Sequence, residues 1–127
     1  MLHRLAADAV LVFHGAFILF VIAGSLLALW RPKLAWIHWA AALWGGVVML
    51  TGAICPLTPL ENSLRVAAGQ SGYTGGFIEH YIVGLIYPEG LTRGVQIALG
   101  ATVLLGNLAV YAWIGWRRWQ RRREMAR

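Results

Sequence analysis

Between two long apolar regions, residues 55–93 read CPLTPLENSLRVAAGQSGYTGGFIEHYIVGLIYPEGLTR. This segment, the central insert, contains the single cysteine of the chain, three of its four prolines and an adjacent Glu79–His80 pair. The regions on either side carry almost no charge over long runs. The fold therefore depends on what the flanking regions form and on how the insert joins them.

The flanking regions have the composition of membrane-spanning helices. The 127-residue chain is 59% hydrophobic and 13% charged, whereas a soluble domain carries about 25% charged residues. Runs of about 20 apolar residues cross a bilayer as helices, because a helix satisfies its backbone polar groups internally. We expect spans at about 6–30, 34–54 and 93–116. The first is predicted to be retained rather than cleaved as a secretory signal, since its apolar run continues well past Ala23-Gly24-Ser25.

The insert itself predicts two further elements. Thr58-Pro59-Leu60-Glu61 has the pattern of a capping box, with Thr58 capping the helix amides and Glu61 reaching back. A short amphipathic helix on the membrane surface should follow and end at Gly69. Residues 72–87 are apolar but short and rich in glycine. We predict that they cross as a short, distorted third span, with a re-entrant segment as the alternative.

The predicted fold is therefore an all-α, small transmembrane helical bundle in one domain, residues 1–127. It has four spans with a surface helix between spans two and three, or three spans plus a re-entrant segment. The net charge is +6, and the positive-inside rule places the basic tail, residues 117–127, on the cytoplasmic side of the membrane. Each model puts eight basic residues inside and three outside. The lone Cys55 favours four spans, which would place it on the reducing side.

The basic tail predicts contact with anionic lipid. Basic residues directly after an apolar span attract the acidic headgroups of the cytoplasmic leaflet. The lipid bilayer is thus the expected partner, together with another membrane protein or a second copy of the chain. Nucleic acid is not expected, since no soluble nucleic-acid-binding fold precedes the tail. The predicted lipid-binding residues are Arg117, Arg118, Arg121, Arg122 and Arg123.

Small and polar residues recur at helical spacing within the spans, which predicts the faces that pack together. In the second span this face contains His38, Ala42, Gly45, Met49 and Gly52. The last span has Gln96, Gly100, Val103 and Asn107, and the first has His14, Val21 and Ser25. In the third segment the same spacing relates Tyr73, Gly76, His80, Gly84 and Tyr87.

Ionisable residues within a membrane segment are costly, and they indicate function by default. Glu79 and His80 fall in such a segment, although Glu79 at shallow depth could instead pair with Arg65 or Arg93. His14 and His38 are expected in opposite leaflets at helical rise, so His14 and His80 form the only plausible ligand pair for haem b or a metal. The predicted polar site comprises His14, Cys55, Glu61, Glu79, His80 and Tyr81.

Three motifs of the insert, CPLTPLE, GGFIEHY and YPEGLTR, resemble the small bacterial membrane proteins of the domain-of-unknown-function family DUF2784. The resemblance covers nearly the whole chain, including His14 and His38. It implies a small multi-spanning inner-membrane protein, and it carries no assigned reaction. It also implies that the family's signature positions are Cys55, Pro56, Thr58, Glu61, Gly76, Glu79, His80, Tyr81, Pro88 and Glu89.

The leading functional hypothesis is a non-enzymatic accessory or small-ligand-binding module with a polar cap at one membrane face. The sequence contains no nucleophile elbow, phosphate-binding glycine loop or metalloprotease helix. The first alternative is a redox protein that binds haem or a metal through His14 and His80. The second is a thiol-dependent membrane enzyme that uses Cys55.

Overall fold

The computed structural model of the protein describes residues 1–84 and 91–126. Within these ranges the chain forms four α-helices and one short π-helix, with no strand. The α-helices are α1 (Leu2–Trp30), α2 (Leu34–Thr51), α3 (Leu57–Ala67) and α4 (Arg93–Met125), and the π-helix is Glu79–Val83. The predicted all-α bundle is confirmed.

Helices α1, α2 and α4 are each long and apolar enough to cross a membrane. Their outer surfaces are covered by large apolar side chains. Leu19, Leu43 and Leu105, one on each helix, are 68%, 60% and 64% exposed. Soluble monomers rarely expose contiguous apolar surface on this scale, so the outside of the bundle has the character that a lipid environment requires.

The three long helices alternate in direction. Near the start of α2, Nδ1 of His38 lies 2.9 Å from the Tyr111 hydroxyl, in the second half of α4. At the other end, Arg93 at the start of α4 donates hydrogen bonds to the carbonyls of Met49 and Leu50, at the end of α2. The bundle thus has a tail end, where α1 finishes and the basic tail begins, and an insert end, which carries α3 and the π-helix.

This arrangement, with three candidate spans among the described residues, fits the three-span alternative better than the four-span fold. The chain leaves α2 at the insert end and begins α4 at that same end. A single crossing by residues 72–87 would instead bring it to the tail end. In the described part of that segment the chain is helical over residues 77–84, with the π-helix at Glu79–Val83. Residues 85–87 of the proposed span, and the signature residues Pro88 and Glu89, lie outside the described residues.

Helix α3 forms where the surface helix was expected, but the capping-box prediction was wrong. The helix begins at Leu57 without a side-chain cap, and Thr58 and Glu61 are instead buried. Its polar side faces inward against α1, while Leu60 is exposed. The inversion is stable because Glu61 finds polar partners inside, as described below. The helix ends at Ala67, and Gly69 follows with a φ of +75°, so the predicted stop is confirmed.

Small residues allow the long helices to approach closely, as the helical spacing predicted. The His38 ring occupies the space that a Cβ on Gly24 would need, and a Cβ at Gly100 would lie 2.9 Å from the Cβ of Met49. Most of the predicted interior face is buried, although in α2 Gly46 is buried more deeply than Gly45. The buried members include His14, Val21, Ser25, His38, Ala42, Gly100 and Asn107.

Candidate functional site

The carboxylate of Glu61 is the centre of a polar cluster at the insert end. Its Oε1 accepts hydrogen bonds from Nε of Arg65 and from the Tyr81 hydroxyl, both at 2.8 Å. Its Oε2 accepts one from the Tyr73 hydroxyl at 2.9 Å. We call Glu61, Arg65, Tyr73 and Tyr81 the polar cap. Glu61 is 0% exposed, so the hydrogen bonds from these three side chains take the place of those that water would donate to its carboxylate.

The environment of the polar cap stabilises one charge state. Burial alone would raise the pKa of Glu61, but the hydrogen bonds from Arg65, Tyr81 and Tyr73 hold it below its ordinary value. Burial, and then donation to the Glu61 carboxylate, raises the pKa of Tyr73 and of Tyr81. At neutral pH the cap therefore has an ionised carboxylate, a guanidinium and two neutral phenols.

Asp8 and Asn62 attach the polar cap to its neighbours. An oxygen of Asp8 on α1 lies 3.8 Å from Nη2 of Arg65, which joins α3 to the first helix. The Asn62 side chain pairs with the backbone of Tyr73, donating at 2.8 Å and accepting at 3.0 Å. The loop after α3 is thereby held so that the Tyr73 hydroxyl reaches Glu61.

A series of aromatic rings leads from the polar cap into the bundle. The rings of Tyr73 and His80 stack with centroids 4.0 Å apart and an interplanar angle of 9°. Tyr81 packs against Phe77 at 4.9 Å, and Phe77 packs against His14 at 4.3 Å. The cap, the π-helical region and α1 are therefore in continuous contact.

Below these rings lies a partly open cavity of about 290 Å³ between α1, α2, α4 and the segment around the π-helix. Its wall is mainly apolar, and Gly45, Gly46, Gly76 and Gly100 contribute to it. Among the described residues, the side chains with polar groups in this wall are His14, Trp44, Cys55, Glu79 and Gln96. No lysine or arginine of the described residues lines it.

His14 provides the clearest sign of unfilled binding capacity in this wall. The residue is 3% exposed, and its Nδ1 is buried without a hydrogen-bond partner among the described residues. Buried polar atoms almost always have a partner, and an exception calls for an explanation such as a bound water or ligand. A molecule in the cavity that carries a hydroxyl, amine or carbonyl group would supply that partner.

The predicted site residues divide into two adjacent groups. His14, Cys55 and Glu79 line the cavity, whereas Glu61 and Tyr81 belong to the polar cap. His80 is exposed and stacks on the cap through Tyr73. These positions place the six residues toward one end of the bundle. Their roles stay predictions.

Sequence reasoning missed Arg65, Tyr73 and Gln96 as site residues. Arg65 follows Glu61 by four residues, a helical spacing at which opposite charges pair. The sequence therefore contained a signal for this ion pair. Tyr73 reaches Glu61 only through the loop that Asn62 holds, and no sequence spacing reveals such a contact.

The alternative in which Glu79 pairs with Arg65 or Arg93 was wrong. Arg65 pairs with Glu61 and Asp8, and Arg93 donates to carbonyls of α2. The Glu79 carboxylate instead lines the cavity and accepts a long hydrogen bond, 3.4 Å, from the Gly76 amide.

The haem or metal hypothesis gains no geometric support. His14 is buried against Phe77, while His80 is exposed and covered on one face by Tyr73. Across residues 1–84 and 91–126, no group of three or more His, Cys, Asp or Glu side chains is arranged to hold a metal ion.

A second polar cluster, nearer the tail end, is structural. Nε2 of His38 lies 3.2 Å from the Val21 carbonyl, which also accepts a hydrogen bond from the Asn107 amide at 2.9 Å. Tyr111 completes the cluster through Nδ1 of His38. These hydrogen bonds join α1, α2 and α4 to one another. His38 does not line the cavity of the candidate site.

The comparison with protein-family models agrees with the resemblance noted in the sequence. The model described as Protein of Unknown function (DUF2784) matches residues 4–112, which include the polar cap, the cavity and His38. The chain belongs to the DUF2784 family. No curated protein and no solved structure matches it. For this DUF2784 member, function must therefore be argued from the site itself.

Proposed function

We propose that this protein is a small-ligand-binding membrane module rather than an enzyme, and that its ligand occupies the cavity beside His14. The observation that carries the proposal is the buried, unpartnered Nδ1 of His14, a residue in the wall of a mainly apolar cavity. Ligand sites are typically apolar cavities with a few convergent polar groups. This cavity has that composition.

The size and charge of the cavity limit the ligand. A volume of about 290 Å³ holds on the order of ten water-sized groups of about 30 Å³ each. Among the described residues, Glu79 is the acidic residue of the wall and no basic side chain lines it. A neutral or cationic polar group is thus favoured over an anionic one, because like charges repel strongly in a weakly polar space.

We further propose a bacterial inner-membrane location with the C-terminus in the cytoplasm. With three spans, the tail end carries eight of the 11 basic residues, namely Arg31, Lys33 and the six arginines of residues 117–127. The insert end carries Arg4, Arg65 and Arg93. Cytoplasmic ends of spans are enriched in lysine and arginine. The polar cap and the cavity would then lie toward the outer face.

Cys55 offers a direct test, because the only thiol of the chain lines the cavity. The full-length protein in lipid nanodiscs is treated with N-ethylmaleimide, and the alkylation rate of Cys55 is measured with octan-1-ol, octylamine, octanoate or octane added. We expect octanol and octylamine to slow the reaction and octanoate to have the weakest effect. A Cys55→Ser, Glu124→Cys double variant, with its thiol in the tail, reports any effect unrelated to the cavity.

Two variants distinguish cavity binding from general partitioning into lipid. A Cβ at Gly76 meets nothing within 4 Å, although Gly76 lines the cavity. Gly76→Leu should therefore fill the space and abolish protection. Gly106 is equally open but lies outside the cavity wall, so Gly106→Leu should retain protection. His14→Phe keeps the ring but removes the nitrogens, and it should weaken octanol protection about 2–10-fold.

The proposal fails if none of the four compounds protects Cys55, or if Gly76→Leu and Gly106→Leu behave alike. Equal protection by octane and octanol, unchanged in His14→Phe, would mean that the cavity binds apolar molecules without recognising a polar group. That result would also refute the proposal. Unfolding temperatures of the variants, measured in parallel, identify any loss of protection that reflects misfolding.

A further inference from the structure

The tail end contains a second cavity whose chemistry differs from the first. Its volume is about 190 Å³, and it lies between the last turn of α1 and the stretch of α4 where the apolar sequence gives way to arginine. We call it the arginine cleft. It is lined by Leu29, Trp113, Ile114, Arg117, Arg118 and Arg121. One side is therefore apolar, and the other carries three guanidinium groups.

The positive charges of the arginine cleft are not neutralised within the described protein. Both ion pairs of residues 1–84 and 91–126 involve Arg65, at the opposite end. Arg117 lies over the Trp113 ring, with its Cζ 4.2 Å from the centroid, which leaves the edge of its guanidinium available. Arg31 and Lys33 follow directly after α1 and add to the positive potential at this end.

We propose that the arginine cleft is a discrete binding site for the phosphate group of an anionic phospholipid. Arginine forms paired, charge-assisted hydrogen bonds with phosphate oxygens. Leu29 and Ile114 would contact the glycerol and the first carbons of the acyl chains, since the cleft lies where the apolar part of the spans ends. The combination of clustered guanidiniums and an apolar floor fits an amphiphile better than a free anion.

This site uses only part of the arginine set that the sequence indicated. Arg117, Arg118 and Arg121 recur on one face of α4, at the spacing of Trp113 and Ile114. Arg122 and Arg123 do not line the cleft, and Arg123 stacks on Trp119, 3.6 Å from the ring centroid. The tail thus provides two arginine pairs of equal charge that differ in position.

The test compares these pairs in the full-length, detergent-solubilised protein. Native mass spectrometry measures binding of dioctanoylphosphatidylglycerol, with dioctanoylphosphatidylcholine as the zwitterionic comparison and inorganic phosphate as the free anion. We expect one tightly bound phosphatidylglycerol. Arg118→Gln with Arg121→Gln should weaken it at least about tenfold, while Arg122→Gln with Arg123→Gln should weaken it less than about threefold.

A charge-preserving variant guards against misfolding of the arginine variants. Leu29→Trp keeps every arginine but fills the cleft, and it should also weaken phosphatidylglycerol binding about tenfold. Equal losses in the two arginine pairs, or unchanged binding in Leu29→Trp, would show diffuse attraction to the tail and overturn the proposal. Phosphatidylcholine binding as tightly, or inorganic phosphate displacing the lipid at comparable concentration, would overturn the assignment to an anionic phospholipid.

Discussion

Arg65 donates from Nε to the carboxylate of Glu61, one helical turn earlier, at 2.8 Å, and Glu61 is fully buried beneath it. In α3 the charged side of an amphipathic helix thus faces inward, where it packs on α1. The pair fixes the insert end because Tyr73 and Tyr81, from two different parts of the insert, both donate to the same carboxylate.

We expect Glu61→Gln to destabilise the protein by about 2–4 kcal/mol. The change leaves a largely buried guanidinium with only the more distant Asp8, at 3.8 Å, as counter-charge, and it mismatches the phenol donors. Chemical unfolding in detergent, followed by circular dichroism, measures the change. Glu124→Gln, in the exposed tail, is the matched control and should change stability by less than about 0.5 kcal/mol. Similar values for the two variants would mean that the polar cap contributes little.

The polar cap also predicts how stability depends on acid. Folding lowers the pKa of Glu61 from its ordinary 4.5, so its contribution is complete above that value and is lost as pH falls through the lower, folded pKa. Unfolding temperatures recorded from pH 7 down to pH 3 should therefore fall below about pH 4.5. In Glu61→Gln this acid-dependent loss should be reduced. An identical acid profile in the variant would contradict the assignment.

The two tyrosines of the polar cap predict that stability also decreases at alkaline pH. Folding raises the pKa of Tyr73 and Tyr81 above the ordinary 10.0, so their contribution is complete below pH 10 and is lost as pH rises toward the folded values. Tyr73→Phe combined with Tyr81→Phe should lower stability at neutral pH, by about 1 kcal/mol for each lost hydrogen bond. In the same double variant, the unfolding temperature should fall less steeply between pH 8 and pH 11 than it does in the wild type.

Close packing between α1 and α2 predicts that Gly24 cannot be enlarged. A Cβ at Gly24 would clash with the buried ring of His38, which two hydrogen bonds hold in place. Gly24→Ala should cost about 1–3 kcal/mol. Gly106→Ala, in α4, meets nothing within 4 Å and should be neutral or stabilise by up to about 1 kcal/mol, since alanine favours helix. Unfolding measurements that rank the two variants in the reverse order would refute this packing.

Arg93 is expected to hold α4 against the end of α2. It donates to the carbonyls of Met49 and Leu50, which have no partner further along α2 because the helix ends at Thr51. Arg93→Gln should lower the free energy of unfolding by about 1–2 kcal/mol. This is less than the largest losses for hydrogen bonds from charged groups, because the site is exposed. Arg4→Gln, at the exposed start of α1, is the control. Equal unfolding free energies for the two variants would rule out this role.

The proposed three spans with a cytoplasmic tail would place Cys55 toward the outside of the cell. An impermeant maleimide applied to intact spheroplasts should therefore label Cys55 in the wild type. In the Cys55→Ser, Glu124→Cys double variant the thiol should be labelled only after permeabilisation. The opposite pattern would invert the proposed orientation, and labelling of both thiols from outside would refute an odd number of spans.

The sequence by itself determined the all-α class, the three long apolar helices and most of the buried small and polar residues. These follow from local rules, namely run length, helical periodicity and the cost of unsatisfied backbone groups in lipid. It also placed the chemically distinctive residues at one end, because the insert is a single continuous segment bounded by the ends of α2 and α4.

Only the tertiary structure decided how that insert folds back and which of its side chains meet. The eight-to-three distribution of basic residues was the same for three and four spans, so charge could not choose between them. The contact of Arg93 with the end of α2 favours three. Likewise, the spacing of Glu61 from Thr58 is that of a capping box, so the sequence predicted a capping role for Glu61. It became the buried centre of the polar cap because α1 and two distant tyrosines converge on it, a contact that no local pattern encodes.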